Sequence, residues 1–308
     1  MLKSKLAAAA VALAAILPLS ACGGDPTSGG GTGDASSPAI TIGSANFPEN
    51  QLLAEMYAQA LEAKGVKVTR KFNIGARELY LKALKDGSIN MIPEYNGAFL
   101  AALSPNGEVP NGVTTTDQVN AALQKVLPSG LETLTSSPAE DKDTLTVTAA
   151  TASKYKLAKI DDLKPVASKL VLGAGPEFKT RYQGVVGLKK VYGLTFKSFK
   201  SLDPGGPLTK AALKKNQIQV ANIFSTDSAI QTDNLKVLDD TKNLFLAQNI
   251  VPIIRKSKVN DKVTSAINEV SKALTTEDLT KYLAEVQVDK KDSATVAKQY
   301  LSDKGIVS

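Results

Sequence analysis

Ile89-Asn90-Met91-Ile92-Pro93-Glu94-Tyr95-Asn96-Gly97 is the stretch on which the reading of this chain turns. Ile89, Met91 and Ile92 read as a short buried strand. Pro93 lacks an N–H and is expected to stop the pairing, and Asn96-Gly97 is expected to turn the chain. Tyr95 then stands just past the carboxyl end of a strand, the edge at which open α/β sheets bind ligands. A tyrosine there can equally plug the core with its hydroxyl hydrogen-bonded, and the stretch alone leaves both readings open.

Working outward, residues 40–72 read as strand, helix, strand. Ile40-Thr41-Ile42-Gly43 alternates, Leu52, Leu53, Met56, Tyr57, Ala60 and Leu61 share one helical face, and Gly65 is a stop before Val66 and Val68. That is the size of a right-handed parallel crossover. A helix over 75–85 leads into the Tyr95 strand, and the same device recurs later: a helix over 209–215, a strand over 219–224, then Ser225-Thr226-Asp227. Helices are expected over 117–127, 262–274, 277–286 and 293–301, one within 178–192, and strands near 145–148, 169–173, 195–199, 235–238 and 249–254.

Alternation of this kind, with the chain leaving one lobe and returning to it, predicts an α/β fold: a two-lobe clamshell with two hinge crossings and the ligand between strand ends of both lobes. The expected divisions are 1–21 as a secretory leader, 22–38 as a tether, 39–145 plus 250–308 as lobe one, and 146–249 as lobe two.

The leader reading rests on Lys3 and Lys5, an apolar run from Leu6 to Leu17, and Leu19-Ser20-Ala21-Cys22. Cys22 is the only cysteine among 308 residues and stands where bacterial lipoproteins carry the acylated cysteine. It is therefore expected to anchor the protein by lipid to the outer face of the cell membrane. Residues 23–38, rich in Gly, Ser and Thr, read as a flexible spacer.

Composition excludes several classes of function. Removing residues 1–21 leaves 35 basic against 30 acidic residues, a formal charge of +5, with the lysines in isolated pairs and no aromatic interleaving. Nucleic-acid binding is not expected. The absence of histidine removes Ser-His-Asp and Cys-His catalysis and His-containing metal sites, and one cysteine cannot form a thiolate cluster. Gly173-Ala174-Gly175-Pro176 and Gly205-Gly206-Pro207 lack the Gly-Lys-Ser/Thr ending of phosphate loops. The chain is therefore not expected to be an enzyme or to hold a metal or cofactor.

A binder of a small solute fits better, acting as a monomer. Phe47, Tyr95, Phe178 and Phe224 can supply apolar or cation-binding walls. Ser44, Asn46, Asn96, Ser225 and Thr226 can supply hydrogen bonds, and Arg181 a fork to a carboxylate or merely a surface charge.

Ile42-Gly43-Ser44-Ala45-Asn46-Phe47-Pro48-Glu49-Asn50, Pro93-Glu94-Tyr95-Asn96-Gly97 and Phe224-Ser225-Thr226-Asp227, in this order, resemble the substrate-binding lipoproteins of ABC importers for glycine betaine, choline, carnitine and related osmoprotectants. The resemblance covers most of residues 39–308. It implies a periplasmic-binding-protein fold of type II and a tyrosine cage around a quaternary ammonium. It also implies partnership with a membrane permease and its ATPase. Tyr95 matches the family's Pro-Glu-Tyr position, whereas Phe224 stands where relatives commonly have tyrosine, and Leu246-Ala247-Gln248-Asn249 replaces their late Pro-Pro-Tyr. Ala45 replaces a common lysine, and Gly75-Ala76-Arg77-Glu78 carries a charged pair where relatives have small polar residues. These comparisons add Arg77 and Asn249 to the expected ligand-facing set and describe a cage with one wall altered. A bulkier or uncharged solute on the same fold, a sensor lobe for a signalling partner, and a lipid-anchored adhesin are the alternatives.

Overall fold

The computed structural model describes residues 39–307; the leader, Cys22 and the tether lie outside the described residues. The first unit forms as the apolar spacing predicts. Strand β1 (Ile40–Gly43), helix α1 (Pro48–Ala63) and strand β2 (Val68–Lys71) make a parallel crossover, with Ile40 opposite Val68. Gly65 ends the helix at φ 74°, a left-handed conformation that favours glycine. Helix α2 (Arg77–Asp86) stops at Gly87, also left-handed, and strand β3 (Met91–Tyr95) follows.

Pro93 does not stop the pairing. It lies inside β3, directly opposite Pro252, so that two residues without N–H groups face each other in an antiparallel ladder. Such a ladder alternates hydrogen-bonded and non-bonded pairs, and two prolines are tolerated at a non-bonded pair. The Pro93 carbonyl points away from the partner strand and accepts from Asn50 Nδ2 at 2.9 Å. Tyr95 is accordingly the last residue of the strand rather than the one after it. Asn96-Gly97 does not form a turn but begins helix α3 (Asn96–Leu103). Glycine is required at the second position because a Cβ there would collide with the Ala247 carbonyl.

Helix α4 (Thr116–Val126), with a Thr115–Gln118 capping box, precedes β4 (Leu131–Thr133). Then come β5 (Asp143–Thr148), α5 (Ala149–Tyr155), β6 (Val171–Ala174), α6 (Gly187–Tyr192), β7 (Ser198–Ser201), α7 (Pro207–Lys214), β8 (Val220–Phe224), α8 (Ala229–Thr232) and β9 (Leu235–Leu238). The chain closes with β10 (Ile250–Arg255), α9 (Asp261–Ala273), α10 (Thr276–Gln287) and α11 (Ser293–Asp303). The helix expected within 178–192 is divided: a 3-10 turn at Pro176–Lys179 and a single π turn at Tyr182–Val186 precede α6, and Gly184 inside the π turn is extended at φ −163°.

Two five-stranded mixed sheets result, with orders β2-β1-β3-β10-β4 and β7-β6-β8-β5-β9. In each, three parallel strands are followed by one antiparallel strand, β10 or β5, and then by an edge strand, β4 or β9, that is antiparallel to it. The repeated device of the sequence maps onto this symmetry, since α2–β3 and α7–β8 deliver the third strand of their respective sheets. The arrangement is the two-lobe clamshell. Two segments join the lobes, and they pair with each other as a short ribbon: Asp141 N donates to the Gln248 carbonyl at 3.1 Å and Ser137 N to that of Ile250 at 2.8 Å.

Alternation along each strand sorts side chains to opposite faces of its sheet. Met91 and Tyr95 join the core under α1, α9, α10 and α11, whereas Ile92 joins the one under α2, α3 and α4. Of the apolar spacing Ala266, Ile267, Val270, Ala273 and Leu274, all but the half-buried Ala273 are fully buried in the first of these. Among the described residues no helix is long and apolar enough to cross a membrane.

Candidate ligand-binding cleft

The face on which each β3 residue emerges determines its partner. Tyr95 points toward α1, and its hydroxyl donates to Glu49 Oε1 at 2.7 Å. Glu94 points toward α2 and is completely buried. It accepts from Arg77 Nε at 2.7 Å and Nη2 at 3.0 Å, from Tyr80 Oη at 2.5 Å, and from the Tyr95 backbone N–H at 2.8 Å. Burial disfavours the Arg77 charge, but Glu94 more than offsets this and raises its pKa, so the guanidinium stays protonated. The pair fixes the backbone of Tyr95 and the direction of Arg77 together.

Between the lobes lies a cavity of about 200 Å³ bordered by strand ends and helix starts of both sheets. Phe47, at the N-cap of α1, forms its aromatic centre: its ring centroid is 6.1 Å from that of Tyr95 and 5.2 Å from that of Phe224. Phe224 is the last residue of β8, the counterpart of Tyr95 in β3. Phe178 lines the cavity farther out, with its ring 6.4 Å from that of Phe245.

Of the expected ligand-facing residues, Asn46, Phe47, Arg77, Tyr95, Phe178, Arg181 and Phe224 come together around this cavity. The others do not line it. Ser44 is fully buried, donates to the Ala45 carbonyl and accepts from Asn73 N, which fixes the loop after β1. Asn96 is also fully buried, and its Oδ1 accepts from the N–H groups of Gly97 and Asn249. Asn249 bonds Thr116 and the Ser137 carbonyl in the ribbon between the lobes. Ser225 Oγ and the Thr226 N–H both bond Asp141 Oδ1, while Thr226 Oγ1 crosses to the other lobe and donates to Glu49 Oε2.

Asp141, Asp143, Glu177, Asn222 and Gln248 line the cavity without having been anticipated as ligand-facing. Asn222 was legible in principle, because it lies two residues before Phe224 on a strand and so shares its face. Asp143 lies directly opposite Phe224 in the antiparallel register, a placement that requires knowing which strand pairs with β8. Asp143 accepts from Asn222 Nδ2 at 2.9 Å and from Gln248 Nε2 at 3.4 Å.

The charges lining the cavity are unequal. Arg77 is engaged by Glu94, and Arg181 makes a two-pronged fork to Glu78 across the cleft, Nε to Oε1 at 3.1 Å and Nη2 to Oε2 at 3.0 Å. Asp141, Asp143 and Glu177 form no salt bridge among the described residues, although the charge of Asp143 is felt by Arg77. Burial, and then the neighbouring Glu49 charge, push Asp141 well above the usual carboxylate range. Burial likewise raises Glu49, against the hydrogen bonds from Thr226 and Tyr95 that favour its charged form. The interior therefore suits a compact organic cation resting against aromatic faces. No three acidic, His or Cys side chains converge in a metal-holding geometry among the described residues.

The carnitine transport binding protein OpuCC of Listeria monocytogenes is 27% identical over 278 residues, 88% of each chain. The glycine-betaine-binding protein of Pseudomonas aeruginosa is 26% identical over 226 residues, 70% of this chain and 71% of that one. A crystal structure described as a glycine betaine/carnitine/choline ABC transporter superposes with a TM-score of 0.68 at 25% identity, over 87% of this chain and 99% of the other. Residues 38–303 match the family described as the substrate binding domain of the ABC-type glycine betaine transport system, and the chain belongs to that family.

Proposed function

We propose that this protein captures a small quaternary-ammonium osmoprotectant, such as glycine betaine, choline or carnitine, between its lobes and delivers it to a membrane permease. The observation that carries this reading is the wall of three rings, Phe47 and Tyr95 from one lobe and Phe224 from the other, around a cavity with surplus carboxylates. An aromatic face over a cation contributes ~0.5–2 kcal/mol, so three faces together supply ~1.5–6 kcal/mol, a large part of a micromolar affinity of about 8 kcal/mol. A ligand touching both lobes favours the closed arrangement through the contacts it makes only there. Binding proteins of ABC importers are extracytoplasmic and work with a permease and an ATPase, and they are not a class of enzyme.

Acylation of Cys22 would hold the protein beside that permease, with residues 23–38 as the tether and the protein acting as a monomer. We assign residues 39–142 and 249–307 to lobe one and 143–248 to lobe two, by sheet membership. Titration calorimetry and thermal shift with glycine betaine, choline, carnitine and ectoine test the reading. Binding of at least one quaternary ammonium compound is expected. No heat and no shift with any of the four would refute it.

A further inference from the structure

Glu49 and Asp141 form a buried acidic pair between the lobes. Glu49 is 2% exposed and Asp141 3%. Tyr95 and Thr226 donate to the two oxygens of Glu49, Ser225 Oγ and the Thr226 N–H donate to Asp141 Oδ1, and the two carboxyl groups lie within hydrogen-bonding reach of each other. The groups facing the pair are Tyr95 from lobe one and Asp143 and Asp227 from lobe two, and Asp227 is engaged by Lys210 at 2.7 Å. Two carboxyl groups this close, buried and without a cation, cannot both ionise in the empty cleft and must share a proton.

Their placement is as informative as their chemistry. Asp141 lines the cavity that Phe47, Tyr95 and Phe224 wall. Glu49 borders a second cavity, also about 200 Å³, on the far side of the Phe47–Phe224 contact, where Lys210, Asp227 and Lys290 lie. One member thus faces the space for the cargo while the other faces a separate void.

We propose that Asp141, backed by Glu49, is the anionic seat for the cation of the cargo, and that seating the cation displaces the proton the two carboxyls share. The cation enters from the aromatic cavity and one proton leaves to solvent past Glu49 through the second cavity, so the charge of the closed cleft is unchanged. Asp141 thereby supplies the attraction that an additional cage ring would otherwise provide. The proposal rests on the cargo being a quaternary ammonium compound.

Calorimetry of the purified full chain with choline and with glycine betaine, in buffers of equal pH and ionic strength but different ionisation enthalpy, reads the displaced proton directly. The expected result is release of between about one half and one proton per cation somewhere between about pH 5 and pH 8, with affinity rising by up to about tenfold per pH unit over that span. In Asp141→Asn the affinity should fall by about tenfold or more. In Glu49→Gln the like charge is gone while the burial of Asp141 remains, so the span over which the proton is released should move to lower pH. Heat independent of buffer throughout that range in the wild type overturns the proposal, as does unaltered affinity in Asp141→Asn or proton release at an unshifted pH in Glu49→Gln. Failure of both compounds to bind the wild type would instead refute the reading of the cargo.

Discussion

Replacing Phe224 with alanine removes the lobe-two face of the aromatic wall. The ring lies 5.2 Å from Phe47, with the planes 34° apart, so the substitution deletes a cross-lobe aromatic contact worth ~0.5–1.5 kcal/mol beyond burial. It also deletes one cation-facing surface worth ~0.5–2 kcal/mol. Together these amount to ~1–3.5 kcal/mol, or roughly 5- to 400-fold in affinity. Because Phe224 is only half-buried and ends its strand, the fold should survive. Calorimetry with whichever quaternary ammonium binds the wild type, with far-UV circular dichroism as a check on folding, measures the effect. Phe224→Tyr retains the ring and should keep most of the affinity. A folded Phe224→Ala variant binding within about twofold of the wild type would refute the three-ring wall as the binding surface.

Three other outcomes are expected. Arg77→Met leaves Glu94 buried with a charge and no cation, which should destabilise the protein by ~3–5 kcal/mol in urea melts. Gly97→Ala forces a Cβ against the Ala247 carbonyl and should lower stability by ~1–3 kcal/mol, whereas Gly65→Ala, which has open space and only a strained φ, should lose less in the same assay. Burial tends to raise Glu78, but Arg181 outweighs it and holds the carboxyl below its ordinary value. A depressed carboxyl contributes stability in full above the unfolded value of ~4.3 and loses it as pH falls through the folded value. Closure of the cleft, followed by the distance between labels on the two lobes, should therefore loosen as pH falls below about 4.

The pattern-bearing parts of the fold were legible in the sequence. The unit over 40–72 and the helices near the C-terminus declare themselves through apolar spacing, and their edges fall within a few residues of the expected ones. Where one residue was allowed to decide alone, the inference failed. Pro93 was read as a breaker because its own chemistry forbids a ladder bond, yet Pro252 opposite needs none. Glu55, beside the apolar stripe of α1, reads from sequence as a surface or capping charge, yet it is 6% exposed, and Arg70 on the neighbouring strand reaches it at 2.9 Å. The aromatic half of the cleft could be anticipated because Tyr95 and Phe224 end strands. Its acidic half could not, because Asp141 and Asp143 reach the site through the ribbon and the β5–β8 register, which are long-range pairings that no local pattern encodes.

The position of β10 has a consequence for assembly. All strands of the second sheet lie between Asp143 and Leu238, whereas in the first sheet β10 separates β3 from β4 and is the only strand neighbour of β4 among the described residues. As the chain emerges from its N-terminus, the second sheet has every strand it needs while the first still lacks its fourth, and non-local pairings of this kind are the slow ones. Lobe one is then the last part to become native, although it begins the folded chain. Every side chain named around the aromatic cavity precedes Asn249, so a chain truncated there would carry the whole set and still have no lobe-one sheet to hold Phe47 and Tyr95 in place. In that respect the segment after Gln248 is needed for the site although none of its residues lines the cavity.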